Sequence, residues 1–413
     1  MLSFFEVPIG VRKRLDHFRS RFFWQSDGHK RKYRLTKWNI MCRPKDQGGL
    51  GMEVLETKNK ALLCKWLFKI LSEDAGVWHE LIHNKYLHSK SLSQVQSRPT
   101  DSHFWKGLMK VKDEFLERGS FVIGNGEKTR FWEDIWLGDK PLASQYPSLY
   151  NIVHRKQVSV ADVLSHAPPP NLSFRRGLSG DKWTKWLHLV ERLMQVNLTN
   201  QNDVFKWGLT ESGIFTVKSM YLDFMSDHTR FLRKDLWKMK VPLKIKIFMW
   251  FLYRKAILTK DNLAKRNWAG CKKCCFCDQD ETIQHLFFSC PLAKMIWRIV
   301  YMAFSIRPPN DIRNLFGNWL QGVSKKEKVQ IRVGVCALLW AFWNVRNDYI
   351  FNRAKKTSFM EVIPMATHWI CTWSYLQSTE RRGAMDSGCS RLESVASDLY
   401  SQCSWRSELR ITC

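Results

Sequence analysis

At 413 residues, the chain is longer than the ~100 to 200 residues of a typical domain, so two or three folded units are expected. Its 45% hydrophobic content, with 20 Trp and 25 Phe, excludes disorder over the whole length. The 66 lysines and arginines exceed the 38 acidic residues by a formal charge of +28, and the pI is near 9.7. Such a surplus favours polyanionic partners, nucleic acid before an acidic membrane surface.

The membrane and secretory classes are disfavoured by the apolar segments. The longest of them, residues 247–253 and 333–343, fall short of the ~20 residues that a membrane span needs. At the N-terminus, the apolar pieces are too short for a signal-peptide core, and basic residues follow at once. We therefore expect a soluble, intracellular chain in a reducing compartment, with nucleus and cytoplasm not distinguished and no membrane partner.

The N-terminal half is predicted to be mostly helical up to about residue 92. A turn interrupts it at residues 44–51, where three glycines can take positive φ. Over residues 59–71, an apolar stripe at helical spacing predicts an amphipathic helix; its members are Leu62, Leu63, Trp66, Leu67 and Ile70.

Two β-hairpins are predicted next. The first spans residues 121–132, where Gly124-Asn125-Gly126 lies between two runs of aromatic and branched residues. No Gly-Lys-Ser/Thr follows, so the glycines indicate a turn and not a phosphate loop. The second hairpin spans residues 203–220 around the turn 210–213.

Helices are predicted for the C-terminal half from their start signals. Pro242 opens a helix, Thr259 is placed at the N-cap of a short one, Thr282 at the cap of the helix that carries His285, and Pro291 at the start of the next. Residues 325–351 form a long helical pattern, and the last ~60 residues are weakly patterned.

The most specific chemical signal is the run C-x2-C-x7-H-x4-C, formed by Cys274, Cys277, His285 and Cys290. Two thiolates from a tight turn and a His and a Cys from the next segment can complete a tetrahedral zinc site, and four protein ligands indicate a structural Zn2+. Disulfides and plain buried thiols are the alternatives, and the reducing compartment disfavours disulfides. Cys271 and Cys275 leave the ligand set open, because Cys271-x2-Cys274 is also a permitted pair.

A second metal motif, H-E-x-x-H, occurs at His79, Glu80 and His83. In zinc proteases, two histidines at this spacing bind the metal and the glutamate is the general base. Here the motif lacks its third-ligand extension, because His88 follows His83 by five residues and not six. We interpret it as a coincidental match on a surface helix.

Basic residues are concentrated just before the cysteine run. Residues 230–273 contain 14 Lys or Arg against Asp235 and Asp261, a net charge of +12. The segment is a candidate for non-specific phosphate contacts with RNA or DNA, the alternative being a merely solvated basic face. The residues assigned to this role are Lys244, Lys246, Arg254, Lys255, Lys260, Lys265, Arg266, Lys272 and Lys273.

Several landmarks in fixed order resemble the zinc-binding domain of reverse transcriptases from plant LINE-type (non-LTR) retroelements. They are Val241-Pro242-Leu243-Lys244, Leu258-Thr259 with Asp261-Asn262-Leu263, the pair Cys274 and Cys277, Glu281-Thr282, His285-Leu286, Cys290-Pro291 and Trp297. Upstream, Trp38, Gly48-Gly49-Leu50-Gly51, Phe104-Trp105 and Phe131-Trp132-x-Asp134-x-Trp136 resemble the region that follows the polymerase in such polyproteins. The resemblance covers roughly residues 20 to 350, and it favours Cys274 and Cys277 as the first ligand pair.

The predicted elements indicate an α+β fold, predominantly helical with small β-hairpins and a structural zinc module. Three regions are expected: residues 1–200 as the post-polymerase segment, 201–305 as the zinc-binding domain and 306–413 as a helical extension. No Asp-Asp pair and no RNase H acidic cluster is found, so we expect a non-enzymatic, truncated remnant. Its expected partner is nucleic acid, RNA or DNA. A reverse transcriptase or another protein is a further candidate partner. A protein-docking module and a fragment with no selected function are the alternatives.

Overall fold

The computed structural model describes residues 3–24, 33–72, 76–88, 90–164, 170–226, 235–351 and 359–402. The chain divides into two units. Unit 1 consists of Met1–Ser26 and Glu53–His228, and unit 2 of Asp27–Met52 and Thr229–Cys413. This is a partition by packing, and the division into regions 1–200, 201–305 and 306–413 stays a prediction.

Helices account for most of the described residues, as the sequence predicted. In chain order the α-helices are α1 (Ile9–Trp24), α2 (Trp38–Cys42), α3 (Leu55–Leu71), α4 (Val77–Ile82), α5 (His103–Leu116), α6 (Leu142–Gln145), α7 (Pro147–Tyr150), α8 (Val160–Leu164), α9 (Asp181–Leu193), α10 (Val217–Phe224), α11 (Asp235–Lys238), α12 (Leu243–Tyr253), α13 (Lys260–Ala264), α14 (Pro291–Phe304), α15 (Ile312–Phe316), α16 (Lys325–Ile350), α17 (Val362–Ser374) and α18 (Thr379–Gln402). Short 3-10 turns lie at Lys45–Gln47, Leu92–Gln94 and Phe359–Glu361, and π-helical turns at His83–Leu87 and His285–Ser289. None of the described helices is long and apolar enough to cross a bilayer.

One two-stranded sheet is present among the described residues, and it corrects both predicted hairpins. Strands β1 (Gly119–Val122) and β2 (Val204–Trp207) pair antiparallel, with Gly119 opposite Trp207 and Val122 opposite Val204. The partner of β1 is therefore a distant segment and not residues 129–132. In the second predicted hairpin, β2 is a strand, but the returning segment forms helix α10. The predominantly helical α+β class is confirmed, and the two local pairings were wrong.

Unit 1 has an aromatic core built around the sheet. Phe115 of α5 stacks on Phe205 and Trp207 of β2, with ring centroids 5.4 and 5.1 Å apart. Helix α3 contributes Leu63, Leu67 and Ile70, which are buried as the apolar stripe predicted. A second cluster gathers Phe131, Trp132, Leu142, Leu149, Val153 and Leu189.

The glycine-rich segment after β1 is an anion-binding loop that holds a carboxylate of the same unit. Asp203 accepts hydrogen bonds from the amides of Gly124 (2.8 Å), Gly126 (2.9 Å) and Thr129 (3.1 Å), and from the Thr129 hydroxyl (2.8 Å). Converging backbone amides form such a nest for anions. Burial opposes ionisation of this carboxyl, but the hydrogen bonds outweigh it and lower the pKa of Asp203.

Removal of this charge should loosen the loop. We expect Asp203→Asn to weaken the protection of the 124–129 amides against hydrogen exchange by about 2 to 3 kcal/mol, since charge-assisted bonds are lost. In the native chain, the stabilisation is present above the pKa of the unfolded carboxyl and is lost as the pH falls through the lowered folded pKa. The variant should lack this acid-dependent loss. The exposed Asp139→Asn is the control; equal loosening in both variants would contradict the assignment.

In unit 2, the predicted helices form, and the glycine turn at residues 44–51 packs on α12. α12 begins after Pro242 and buries Ile245, Phe248, Met249 and Leu252. The indole of Trp250 donates to the carbonyl of Gly48 (3.0 Å), whose φ of 81° is the positive value expected for the glycine turn. The long helix α16 confirms the pattern at 325–351 and packs against α17, which packs against α18.

Candidate metal centre

A tight backbone loop presents the first two cysteines. Lys273 and Asp280 form an antiparallel bridge, and the amide of Cys274 donates to the carbonyl of Gln279 (2.7 Å). At the tip, the amide of Phe276 donates to the sulfur of Cys274 (3.5 Å). An N–H aimed at sulfur stabilises a thiolate, so this turn suits a metal ligand.

The other two candidate ligands belong to a single π-helical turn, His285–Ser289, which His285 begins and Cys290 follows. The Thr282 hydroxyl accepts from the amide of His285 (3.0 Å), which confirms the predicted cap. The amide of Cys290 donates to the carbonyl of His285 (2.7 Å), and Pro291 starts α14 as predicted. The buried Trp297 indole donates to the carbonyl of Phe287 (2.8 Å) and fixes the turn to α14.

The structure brings the four predicted residues together. Their ligand atoms all lie within 4.8 Å of one another, with the sulfur of Cys277 3.0 Å from Nε2 of His285 and 3.9 Å from the sulfur of Cys290. Zn–S bonds of about 2.3 Å in a tetrahedron place two sulfurs about 3.8 Å apart. Cys274 and Cys290 are fully buried, so the cluster fits a structural zinc ion with no position open to substrate.

The pKa values of the thiols in the cluster are shifted in opposite directions. Hydrogen bonds from Cys275 and then from Cys290 lower the pKa of Cys274. The hydrogen bond to Cys274 is the main cause that raises the pKa of Cys290, and burial is the second cause. Burial also raises the pKa of Cys277. The arrangement therefore stabilises one thiolate, and a divalent cation would supply the charge that the remaining ligands need.

The competing cysteines and the second motif lie outside this cluster. Cys271 is exposed, and the half-buried Cys275 neighbours Cys274 without joining the four converging ligand atoms. Among the described residues, no other group of three His, Cys, Asp or Glu could hold a metal ion. His79 instead contacts the carbonyl of Ile70 through Nε2 (3.2 Å).

A buried ion pair next to the metal loop was missed by the sequence analysis. Glu281 is 0% exposed and binds Arg346 of α16 through both carboxylate oxygens, at 2.5 and 3.2 Å. It also accepts from the amide of Lys260 at the start of α13 (2.9 Å). The Thr259 hydroxyl, expected to cap this helix, donates to Asp261 instead (2.5 Å). The available signal was Arg346 itself, a charge that closely follows the apolar run 333–343 and requires an acidic partner when it is buried.

Lys246 and Arg254, two of the nine basic residues, are half-buried and donate to backbone carbonyls elsewhere in unit 2. Nζ of Lys246 donates to the carbonyl of Trp237 (3.0 Å), and Nη2 of Arg254 donates to the carbonyl of Gly48 (2.8 Å). Burial lowers the pKa of both side chains. These two therefore hold unit 2 together and are poorly placed for phosphate.

Two more donate to backbone carbonyls. Nζ of Lys260 donates to the carbonyl of Lys273 (2.5 Å) and so supports the metal loop, whereas Nη1 of Arg266 donates to the carbonyl of Asn262 (2.7 Å) within its own segment. The remaining five are exposed: Lys244, Lys255, Lys265, Lys272 and Lys273. Arg230, Arg233 and Lys234 of the same basic segment lie outside the described residues.

Comparison with known proteins gives matches over the same segment and beyond it. A family model described as zinc-binding in reverse transcriptase matches residues 215–297. "Putative ribonuclease H protein At1g65750" of Arabidopsis thaliana is 26% identical over 306 residues, which are 70% of this chain and 48% of that protein. "Uncharacterized mitochondrial protein AtMg00310" of the same plant is 30% identical over 141 residues, 34% of this chain and 91% of that protein. The chain thus spans about half the length of the first relative.

Proposed function

Since the chain belongs to the family of the uncharacterized mitochondrial protein AtMg00310 and carries the zinc-binding region of a retroelement reverse transcriptase, we propose that it is a non-catalytic nucleic-acid-associated module. The finer assignment to a LINE-type element is part of the proposal and rests on the ordered landmarks from Val241 to Trp297. The ribonuclease H in the name of the first relative belongs to that protein. The absence of catalytic domains stays a prediction.

One observation carries the proposal: exposed lysines stand on the segments that the metal loop fixes. Lys272 and Lys273 immediately precede Cys274 and are both exposed. The exposed Lys255 is tied to α13, because its carbonyl accepts from the side chain of Asn262 (2.9 Å). Lys255 and Lys272 make no ion pair with the described residues, so their charge is available to phosphate oxygens.

The binding mode follows from this chemistry. Lysine offers a compact charge without base-specific geometry, so the contacts should be blind to sequence and should accept RNA or DNA. Counter-ion release makes such binding fall steeply with added salt. A zinc ion at the four ligands would supply rigidity to the loop, while Lys255, Lys272 and Lys273 hold phosphate.

We expect the triple variant Lys255→Gln, Lys272→Gln, Lys273→Gln to lose about tenfold or more in affinity at moderate salt, because three phosphate contacts are removed. The slope of log affinity against log salt should become shallower by about 2 to 3. Filter binding and fluorescence anisotropy with single-stranded RNA and duplex DNA of mixed sequence measure both quantities.

The matched control changes the same charge on unit 1 through the exposed Lys90, Lys140 and Lys218, each replaced with Gln. Equal weakening in both triple variants would mean that only total charge matters and would contradict the site. If the native chain retained no nucleic acid at low salt, the proposal would be overturned. If the same preparation then bound a purified protein partner, the docking alternative would be favoured.

A further inference from the structure

The N-terminal helix of unit 1 is held by polar contacts along one side. Arg12 of α1 forms an ion pair with Glu56 (2.7 Å), and Arg19 donates to the carbonyl of Glu53 (2.8 Å). The segment before the helix is held by Asn59, which accepts from the amide of Val7 (2.9 Å). The helix is thus anchored by charge and hydrogen bonds.

A neighbouring side of α1 carries an exposed apolar row that is spaced four, three and four residues apart. Its members are Val11 (48% exposed), Leu15 (41%), Phe18 (52%) and Phe22 (83%). At 100° per residue, these four side chains fall within an arc of about 60°. A row this narrow with heptad spacing is the geometry of a helix–helix seam.

We propose that this row, the α1 seam, is a docking surface for a helix of a partner protein that carries an apolar heptad seam flanked by acidic residues. The charge of α1 selects the partner: Arg12 and Arg19 are engaged by Glu56 and Asp16, and the exposed basic side chains Lys13, Arg14 and Arg21 leave the helix surface positive. Arg14 and Arg21 lie beside the seam at helical spacing, where glutamates of a facing helix would meet them. The inference concerns unit 1 and goes beyond the proposed nucleic-acid role of the metal loop.

Two other occupants fit less well. A second copy of α1 would bring Arg14 and Arg21 against basic residues of its own seam edges, which disfavours self-pairing through this seam. A membrane surface favours a helix with a broad apolar face. The other aromatic side chains at the end of α1, Phe23 and Trp24, are half-buried and buried on the packed side and do not widen the seam.

The probe is a synthetic helix with leucine at the a and d positions and glutamate at e and g, tested on the full chain by fluorescence anisotropy. We expect it to bind, and Phe18→Ser with Phe22→Ser to weaken binding by at least about tenfold, since buried aromatic anchors dominate such interfaces. Both side chains are more than half exposed, so the variant should keep the circular dichroism of the native chain.

Controls separate the alternatives. Trp183→Ser with Leu187→Ser removes two apolar side chains, each 49% exposed, from α9 of the same unit and should leave peptide binding unchanged. A peptide with lysine at e and g should not bind. Equal loss in both double variants, equal binding of the lysine peptide, seam-dependent self-association in sedimentation, or seam-dependent binding only to phosphatidylserine vesicles would each overturn the proposal.

Discussion

Replacement of Cys274 with serine is expected to abolish stoichiometric zinc binding and to release the backbone of residues 272–290. Cys274 is fully buried, and its sulfur is one of four ligand atoms within 4.8 Å. Structural zinc sites contribute about 10 to 16 kcal/mol of apparent binding free energy, which equals or exceeds the net stability of a typical domain. The loss of one ligand therefore cannot be offset by neighbouring contacts.

Zinc content by mass spectrometry and hydrogen exchange over residues 272–290 would measure the effect. The control is Cys271→Ser, which changes an exposed cysteine three residues away and should retain full zinc and full protection. Chelation of the native chain should reproduce the exchange pattern of the Cys274 variant. Zinc lost by Cys271→Ser would move the first ligand pair to Cys271 and Cys274, and zinc retained by Cys274→Ser would contradict both pairs.

The ligand set could be predicted because its chemistry is local. Cys274 and Cys277 share one turn, and His285 and Cys290 flank another, so spacing along the chain encodes spacing in the fold. The caps at Thr282 and Pro291 are local for the same reason, since each acts within one helical turn. Residue type and sequence separation therefore located the site, and the family resemblance was needed only to prefer Cys277 to Cys271 as the partner of Cys274.

The hairpins could not be predicted because the same local signals serve distant partners. The Gly124-Asn125-Gly126 segment points its amides at Asp203 and at the carbonyl of Gln201 instead of closing a two-residue turn. β1 is thereby free to pair with β2. In the second case, the branched residues before α10 suggested a strand, but the Thr216 hydroxyl accepts from the amide of Ser219 (3.1 Å) and caps a helix.

Long-range charge pairing also escaped the sequence analysis, and it has a structural consequence. Glu281 lies inside the family match, whereas Arg346 lies on α16 beyond residue 297. The two are 65 residues apart in sequence and buried together. The packed environment of the metal loop therefore includes a helix that the matched segment does not contain, and α16 is part of the fold around the site.

Arg346→Met should destabilise unit 2 by about 3 to 5 kcal/mol, because it leaves the carboxylate of Glu281 buried without its cation. Thermal unfolding with zinc in excess measures this loss apart from metal release. The exposed pair Lys273–Asp280 (3.6 Å) beside the same loop is the comparison, and Asp280→Asn should change stability by at most about 1 kcal/mol.

The double variant Arg346→Met with Glu281→Gln distinguishes a charge effect from a packing effect. If the uncompensated carboxylate causes the loss, neutralising it should recover a large part of the stability that Arg346→Met removes, and the two substitutions should be strongly non-additive. If the two losses simply add, the guanidinium acts by filling space, and the ion pair does not hold α16 to the metal loop. Glu281→Gln alone should weaken the fold, because Arg346 is then the unpaired buried charge. The side-chain amide oxygen of the new glutamine can still accept the hydrogen bond from the backbone amide of Lys260.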